Sequence, residues 1–355
     1  MAENTFWQNG GSAMKLGPIL LIGSGETSSS SGQAFEALAQ RLPRPLRTAV
    51  LETPAGFELN SAQVAGRVRM YLQQRLQNYA VQASQVAARR RGTPFSPDEE
   101  NLVEALLSQD LIFMGPGSPT YAVRQLRDSL AWAFVLARHR LGAGLAFSSA
   151  AVLSISRLTL PVYEIYKVGQ DLHWVAGLDF FGTFGLDLIL IPHWNNHDGG
   201  EELDTRFCFM GAERFEPLRA LLPAGQTILG LDEHTSLLMD LQRGECLVYG
   251  RDAVHLLRDG QEQAFASGQA FDLQLLGTLR DVDALPALVT DEVWQKAVLA
   301  SSSPAIPQEV LQWVREREVA RQMRDWARAD ALRRQVLQLG WQIQDTPGGP
   351  EILPI

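Results

Sequence analysis

The feature that most limits what this chain can fold into is the spacing of its short apolar runs. From Pro18 onward, the stretches Ile19 to Ile22, Thr48 to Glu52, Leu111 to Met114 and Leu145 to Phe147 are rich in Ile, Leu and Val, and longer helical patterns separate them. Strand-length apolar runs alternating with helices predict an α/β fold with a parallel sheet covered on both faces. Within this part, Ser96-Pro97-Asp98-Glu99 predicts a helix start, with Ser96 as N-cap, Pro97 at the first helical position and Glu99 closing a capping box.

Farther along, the texture changes. Thr227 to Leu231, Leu237 to Leu241, Cys246 to Tyr249 and Val254 to Leu257 are short and punctuated by Arg243-Gly244 and Asp259-Gly260. They predict antiparallel hairpins at one edge of the sheet. The expected organisation is a disordered extension over 1–14, a main domain over 15–276, a linker over 277–306 and a helical hairpin over 307–355.

Composition narrows the partners. A formal charge of -9 and a pI near 5.3 argue against a diffuse basic surface for nucleic acid or anionic membrane, and small cationic or zwitterionic substrates suit it better. Cys208 and Cys246 are the two cysteines, too few and too separated for a disulfide framework or a zinc ribbon. No apolar run approaches the roughly 20 residues of a membrane helix, and the first residues lack the pattern of a signal peptide. The expectation is a cytoplasmic protein.

The segment Gly144-Leu-Ala-Phe-Ser148-Ser-Ala150-Ala151 runs from a buried strand straight into a helical pattern. A nucleophile at such a turn sits in strained backbone and needs small residues two before and two after it. Ala146 and Ala150 flank Ser148 in that way, which selects Ser148 over Ser149 and leaves the Ser149 N–H as an oxyanion donor at the helix N-terminus. A serine hydroxyl also needs a base oriented by a third group. His193 follows the apolar run Leu186 to Ile191 in Pro192-His-Trp-Asn-Asn196, with His197 as a neighbouring rival.

These motifs resemble the cyanophycinase and aspartyl dipeptidase family of serine peptidases, which carries Gly-x-Ser-Ala-Gly-Ala at the elbow. Ala146-Phe-Ser148-Ser-Ala150-Ala151 aligns with it, alanine replacing both glycines. Ile19-Leu-Leu-Ile-Gly23-Ser-Gly25-Glu26 and Leu111-Ile-Phe-Met-Gly115-Pro-Gly117-Ser118 resemble the family's opening strand and second glycine loop, and Gly230-Leu-Asp-Glu233-His-Thr235 its acidic turn. The resemblance implies a flavodoxin-like doubly wound sheet and hydrolysis of peptide or amide bonds, in aspartyl-containing peptides. It implies Ser148 as nucleophile, His193 as base and Glu233 as orienting acid, with Glu164 the candidate of the dipeptidase branch. Gly117 or Ser118 would supply the second oxyanion N–H. Asn196, Arg206 and Arg214 would bind substrate, the arginine forks suiting a carboxylate. No metal or organic cofactor is required; the expected partner is a small peptide, with a homo-oligomer as a further expectation.

The end of the chain differs. Pro307 to Met323 and Ala327 to Leu339 predict two helices sharing a seam of Trp313, Val314, Trp326, Ala329, Leu332 and Val336, with Gly340 as a C-cap. Arg315 to Arg333 and Gly340-Trp-Gln-Ile-Gln-Asp-Thr-Pro-Gly348 closely resemble the C-terminal segment of cysteinyl-tRNA synthetases, whose His-Ile-Gly-His and Lys-Met-Ser-Lys-Ser motifs this chain lacks. Aminoacylation is not expected. Mixed Arg and acidic residues favour a helical hairpin with exposed ion pairs over tRNA binding. The alternative from another class is a non-catalytic scaffold that binds tRNA or a protein through this tail.

Overall fold

A computed structural model describes residues 15–281, 288–302, 306–346 and 349–354. The extension expected over 1–14 lies outside the described residues, as does the Ser303-Pro304 part of the connector. The chain forms two compact units, Met1–Ala297 and Val298–Ile355.

In the first unit, Ile19–Ile22 (β1), Arg47–Leu51 (β2), Gln82–Val86 (β3), Leu111–Met114 (β4) and Gly144–Ser148 (β5) are the parallel strands. Two short strands, Leu158–Thr159 (β6) and Val175–Ala176 (β7), pair with each other. Then follow Leu188–Ile191 (β8), Thr227–Leu231 (β9), Thr235–Asp240 (β10), Glu245–Gly250 (β11), Ala253–Arg258 (β12), Gln261–Ala266 (β13) and Ala270–Asp272 (β14). The main sheet has eight strands in the order β14-β11-β10-β1-β5-β4-β2-β3, and a second sheet has the order β13-β12-β9-β8.

The expected α/β fold with an antiparallel edge is therefore present, with one difference. β10, β11 and β14 extend the main sheet beyond β1, whereas β9, β12 and β13 join β8 in a separate sheet. The hairpin residues are divided between two sheets because the chain crosses from one to the other three times, at the β9–β10, β11–β12 and β13–β14 connections.

β1, β4, β5 and β8 are buried along their whole length, as strands covered on both faces must be. Leu20, Ile22, Phe113 and Ala146 pack with Phe35, Leu38, Val68 and Leu72 on one face. Phe147, pointing to the opposite face, packs against Phe180. β3, with the polar sequence Gln-Ala-Ser-Gln-Val, forms one edge of the main sheet, opposite β14. Its low apolar content hides it from periodicity and suits an edge. The helix expected from Ser96 begins at Glu100 instead. The Ser96 hydroxyl is used locally, accepting from the Asp98 N–H at 3.1 Å, so it caps a turn rather than the helix.

Residues 277–306 contain more structure than a linker, since the helix Asp291–Ser302 occupies much of them. In the second unit, the helices Gln308–Gln322 and Trp326–Gln338 are followed by a hairpin of Trp341–Thr346 (β15) and Gly349–Pro354 (β16). Val314, Ala329, Leu332 and Val336 are buried as expected. Trp326 is 60% exposed and does not join the seam; Trp341 and Ile343 of β15 complete it instead. Arg317 is buried and reaches Asp345 of β15 through two nitrogens, at 2.9 Å each, so helix and hairpin are joined by a bidentate pair.

Candidate functional site

The site lies where β1, β4, β5 and β8 end, at the carboxyl edge that open α/β sheets use for ligands. β5 passes directly into the helix Ala150–Ser154, and the junction residue Ser149 has φ 53° and ψ −115°. Such a conformation is costly for a residue with a Cβ and persists because the strand before it and the helix after it fix both ends.

That turn separates the two serines. The Ser149 hydroxyl lies 2.8 Å from His193 Nε2. Ser148 is fully buried and donates to Glu26 Oε2 at 2.9 Å. The pairing with the histidine thus belongs to Ser149, contrary to the expectation for Ser148. Successive residues at the end of a strand point to opposite sides, so only one of the two can face the cleft. The rule of small flanking residues misleads here: two before Ser149 stands Phe147, whose ring is accommodated against Phe180. One signal was present in the sequence. Ser149-Ala150 matches the Ser-Ala pair of the elbow pattern once the alignment moves by one residue.

His193 follows β8 and has φ 52°. Its neighbour Trp194 anchors it. Trp194 is buried and packs edge-on against Phe207 and Phe215, and its ring occupies the space that a Cβ on Gly230 would fill, 2.4 Å away. The His193 ring then reaches Glu233 with Nδ1, 3.0 Å from Oε1. With a carboxylate accepting from Nδ1–H, Nε2 is left as the acceptor facing Ser149. The rival His197 is exposed.

Glu233 sits in the turn between β9 and β10. Asn196, expected to contact substrate, is fully buried and donates from Nδ2 to Glu233 Oε1 at 2.8 Å, while Asn195 Oδ1 accepts from the Glu233 N–H. Asn196 is therefore engaged with Glu233 and does not line the cleft, contrary to the expected substrate contact. The hydrogen bond from His193 holds the Glu233 carboxyl below its ordinary range; burial opposes this, and Asn196 and the charges of His193 and His234 assist it. Glu164 is turned elsewhere, accepting from Thr120 Oγ1 at 2.5 Å.

The expected oxyanion donors also rearrange. The Ser149 N–H is consumed by Ile22 O at 3.1 Å and the Ser118 N–H by Pro54 O at 2.9 Å. Neither is free for a ligand. Ser118 instead caps the helix Pro119–Leu126, accepting from the Tyr121 N–H. Ala150, the first residue of its helix, has no helical acceptor for its N–H and lines the same cleft as Gly117, Ser149 and His193. Gly117 has φ 148°, and a Cβ there would lie 1.9 Å from Pro54 O, so only glycine fits.

The cleft measures about 460 Å³ and includes Leu153, Val162, Tyr163, Tyr166 and Phe209 in its walls. Phe207, Cys208 and Phe209 have φ of 56°, 56° and 67°, three successive left-handed residues without a glycine. Each costs on the order of 1–2 kcal/mol. The Phe207 N–H bonds Trp194 O and the Cys208 N–H bonds His193 O, hanging this turn from the histidine strand end. The Cys208 thiol is pushed up to about 12 by burial, with the Glu233 charge adding to it. Arg206 and Arg214 do not line the cleft. Arg206 is held by Asp204 at 2.8 Å, and Arg214 is exposed. Among the described residues, no cluster of three His, Cys, Asp or Glu is placed to hold a metal.

The chain is similar in fold to a peptidase from an acI-B1 Actinobacterium, with a TM-score of 0.58, 19% identity, and coverage of 73% of this chain and 98% of that one. The tail carries a separate likeness. Residues 303–351 match the family model of the cysteinyl-tRNA ligase anticodon binding domain. The cysteine–tRNA ligase of Chlamydia pneumoniae is 34% identical over 104 residues, and that of Chlamydia felis is 50% identical over 52 residues. The matches take in 29% and 15% of this chain, and the chain spans 20% and 11% of those two ligases. No helix of the described residues is long and apolar enough to cross a membrane.

Proposed function

We propose that the first unit is a serine-type hydrolase of peptide or amide bonds, with Ser149 as nucleophile, His193 as general base and Glu233 as the orienting acid. The observation that carries this reading is the continuous hydrogen-bonded chain from Ser149 through His193 to Glu233, at 2.8 and 3.0 Å, built on a strained strand-to-helix turn. The fold likeness to a solved peptidase supports it.

In this mechanism Ser149 Oγ attacks the substrate carbonyl as His193 Nε2 takes its proton. The carbonyl oxygen becomes an oxyanion, received by the N–H groups of Gly117 and Ala150. Glu233 stabilises the imidazolium, which then protonates the leaving amine as the C–N bond breaks. Water, activated by the same histidine, attacks the acyl–serine ester and releases the acid. Asn196 keeps the Glu233 carboxylate aimed at Nδ1 throughout. The substrate is a small peptide, and the resemblance to aspartyl-cleaving enzymes makes an aspartyl peptide the reference substrate to test. Labelling with a fluorophosphonate probe, followed by mapping of the modified peptide, tests the reading. Rapid, active-site-directed modification at Ser149 is expected; no labelling, or labelling at Ser148, would overturn the assignment.

A second reading concerns the tail alone, where the match to an anticodon binding domain supports binding of tRNA by the second unit. It is compatible with hydrolysis by the first unit or with a non-catalytic scaffold, and the probe separates those two cases.

A further inference from the structure

Resting on the hydrolase reading above, we propose that the cleft beside Ser149 selects substrates with a bulky apolar or aromatic side chain on the residue whose carbonyl is attacked, in preference to an aspartyl side chain. The cleft opens onto Ser149, Ala150, His193 and Gly117, the groups that would surround a reacting carbonyl, so whatever fills the rest of it is attached near that carbonyl. Apart from the exposed Lys167 and Asp198, its remaining walls are apolar or aromatic. Leu153 and Val162 are buried in a cluster with Ile189 and Ile191 and present a fixed aliphatic surface. Tyr166 and Phe209 stand over it with ring centroids 5.5 Å apart and an interplanar angle of 36°, and Phe209 approaches the His193 ring to 6.0 Å.

The backbone supports the same conclusion. Phe209 reaches the cleft at the end of the three-residue left-handed turn, a conformation that non-glycine residues adopt only when surrounding structure imposes it. Strain spent on presenting a phenyl ring next to the catalytic histidine points to that ring as a contact surface for substrate.

An aspartyl side chain finds little here. The cation lining the cleft is Lys167, which is exposed and lies 4.6 Å over the Tyr166 ring, and the exposed Asp198 brings the opposite charge. A carboxylate pushed among Leu153, Val162 and Phe209 would lose its water without a buried cation to replace it. Arg90, Arg91 and Arg124 line a separate depression that shares Tyr163 but includes neither Ser149 nor His193.

The test uses the full chain and aminoacyl diphenyl phosphonates carrying Phe, Leu or Asp side chains, beside a plain fluorophosphonate. The diphenyl phosphonates phosphonylate the serine oxygen with loss of phenol, and the fluorophosphonate with loss of fluoride, so the relative rates of the three diphenyl phosphonates read the side-chain preference directly. The expected result is labelling by the Phe and Leu reagents at least about tenfold faster than by the Asp reagent, a ratio of the size that apolar pockets give. Equal or faster labelling by the Asp reagent overturns the inference while leaving the hydrolase reading in place. Failure of the plain fluorophosphonate to label overturns both. Tyr166→Arg, checked for an intact melting transition, should shrink the Phe-to-Asp ratio by about tenfold or more; Tyr166→Ser serves the same purpose if the arginine variant does not fold. An unchanged ratio in a folded variant overturns the inference.

Discussion

Ser149 Oγ and His193 Nε2 lie 2.8 Å apart across the ends of two strands that belong to different sheets. The pair joins β5 of the main sheet to β8 of the smaller one. Ser148, one residue earlier, is buried on the other side of the same turn against Glu26. Ser149→Ala should therefore abolish probe labelling and lower turnover by at least about 10³-fold. Ser148→Ala should keep turnover within about tenfold, because it removes a hydrogen bond beside the elbow but no reacting atom. Rates per folded molecule of the two variants check this.

Glu233→Gln should leave the melting temperature nearly unchanged and slow turnover by about 10²- to 10⁴-fold, since an amide cannot stabilise the imidazolium. The pH profile carries a further sign. The folded carboxyl of Glu233 lies below its ordinary value, so it stays ionised above the usual carboxylate range of about 4.3 and its contribution is lost only as pH falls through the lower folded value. Turnover of Glu233→Gln within about tenfold of the unsubstituted protein would detach Glu233 from the base.

His139 gives the first unit a built-in acid sensitivity. It is fully buried, donates from Nε2 to Gly17 O at 2.9 Å, and packs edge-on to Phe180 and Phe184. Burial lowers it to about 4, with the Gly17 hydrogen bond opposing and the Arg140 charge adding. A histidine depressed in the folded state contributes nothing adverse above its unfolded value of about 6.5, and its penalty grows as pH falls from there to about 4. The full penalty is about 3 kcal/mol. Denaturation curves between pH 7 and pH 4 should show this loss, and His139→Gln should flatten the slope while lowering stability at pH 7.

Cys208 lies in the cleft wall yet should be inert. Its thiol is buried and raised to about 12, so at pH 8 almost none is thiolate. Iodoacetamide should leave turnover and fluorophosphonate labelling unchanged in the native protein. Rapid inactivation through Cys208 would assign the chemistry to a thiol.

A chain ending at Ser302 should fold and keep its turnover, because Ser149, His193 and Glu233 all lie within the unit Met1–Ala297. The second unit has its own core of Val310, Val314, Val336, Trp341 and Ile343. Activity per folded molecule on the shortened chain, and tRNA binding by the full chain at two salt concentrations, check both readings of the tail. Binding that is lost with the tail and weakens steeply with salt supports the RNA reading.

Much of this was legible in the residues. The buried strands showed as runs such as Ile19-Leu-Leu-Ile because strands covered on both faces leave no polar alternation. The edge strand Gln82–Val86 and the exposed strand Gln261–Ala266 did not, since their side chains are largely polar and pairing alone makes them strands. His193 was found from its place after a strand and Glu233 from the family resemblance of its turn, and the structure brings them within 3.0 Å although 40 residues separate them.

The sequence by itself determined that a serine, a histidine and an acid would end up at strand ends of an α/β sheet, and that a ligase-like tail would follow. Those facts are carried by local pattern and, for the acid and the tail, by family resemblance. Only the tertiary structure decided which serine faces the histidine, that Asn196 serves the acid, and which N–H groups are left unpaired. Each of these depends on a backbone torsion or on a partner distant in sequence. Ser149 at φ 53°, Ile22 accepting its N–H, and Phe147 finding room against Phe180 are consequences of assembly that no stretch of neighbouring residues encodes.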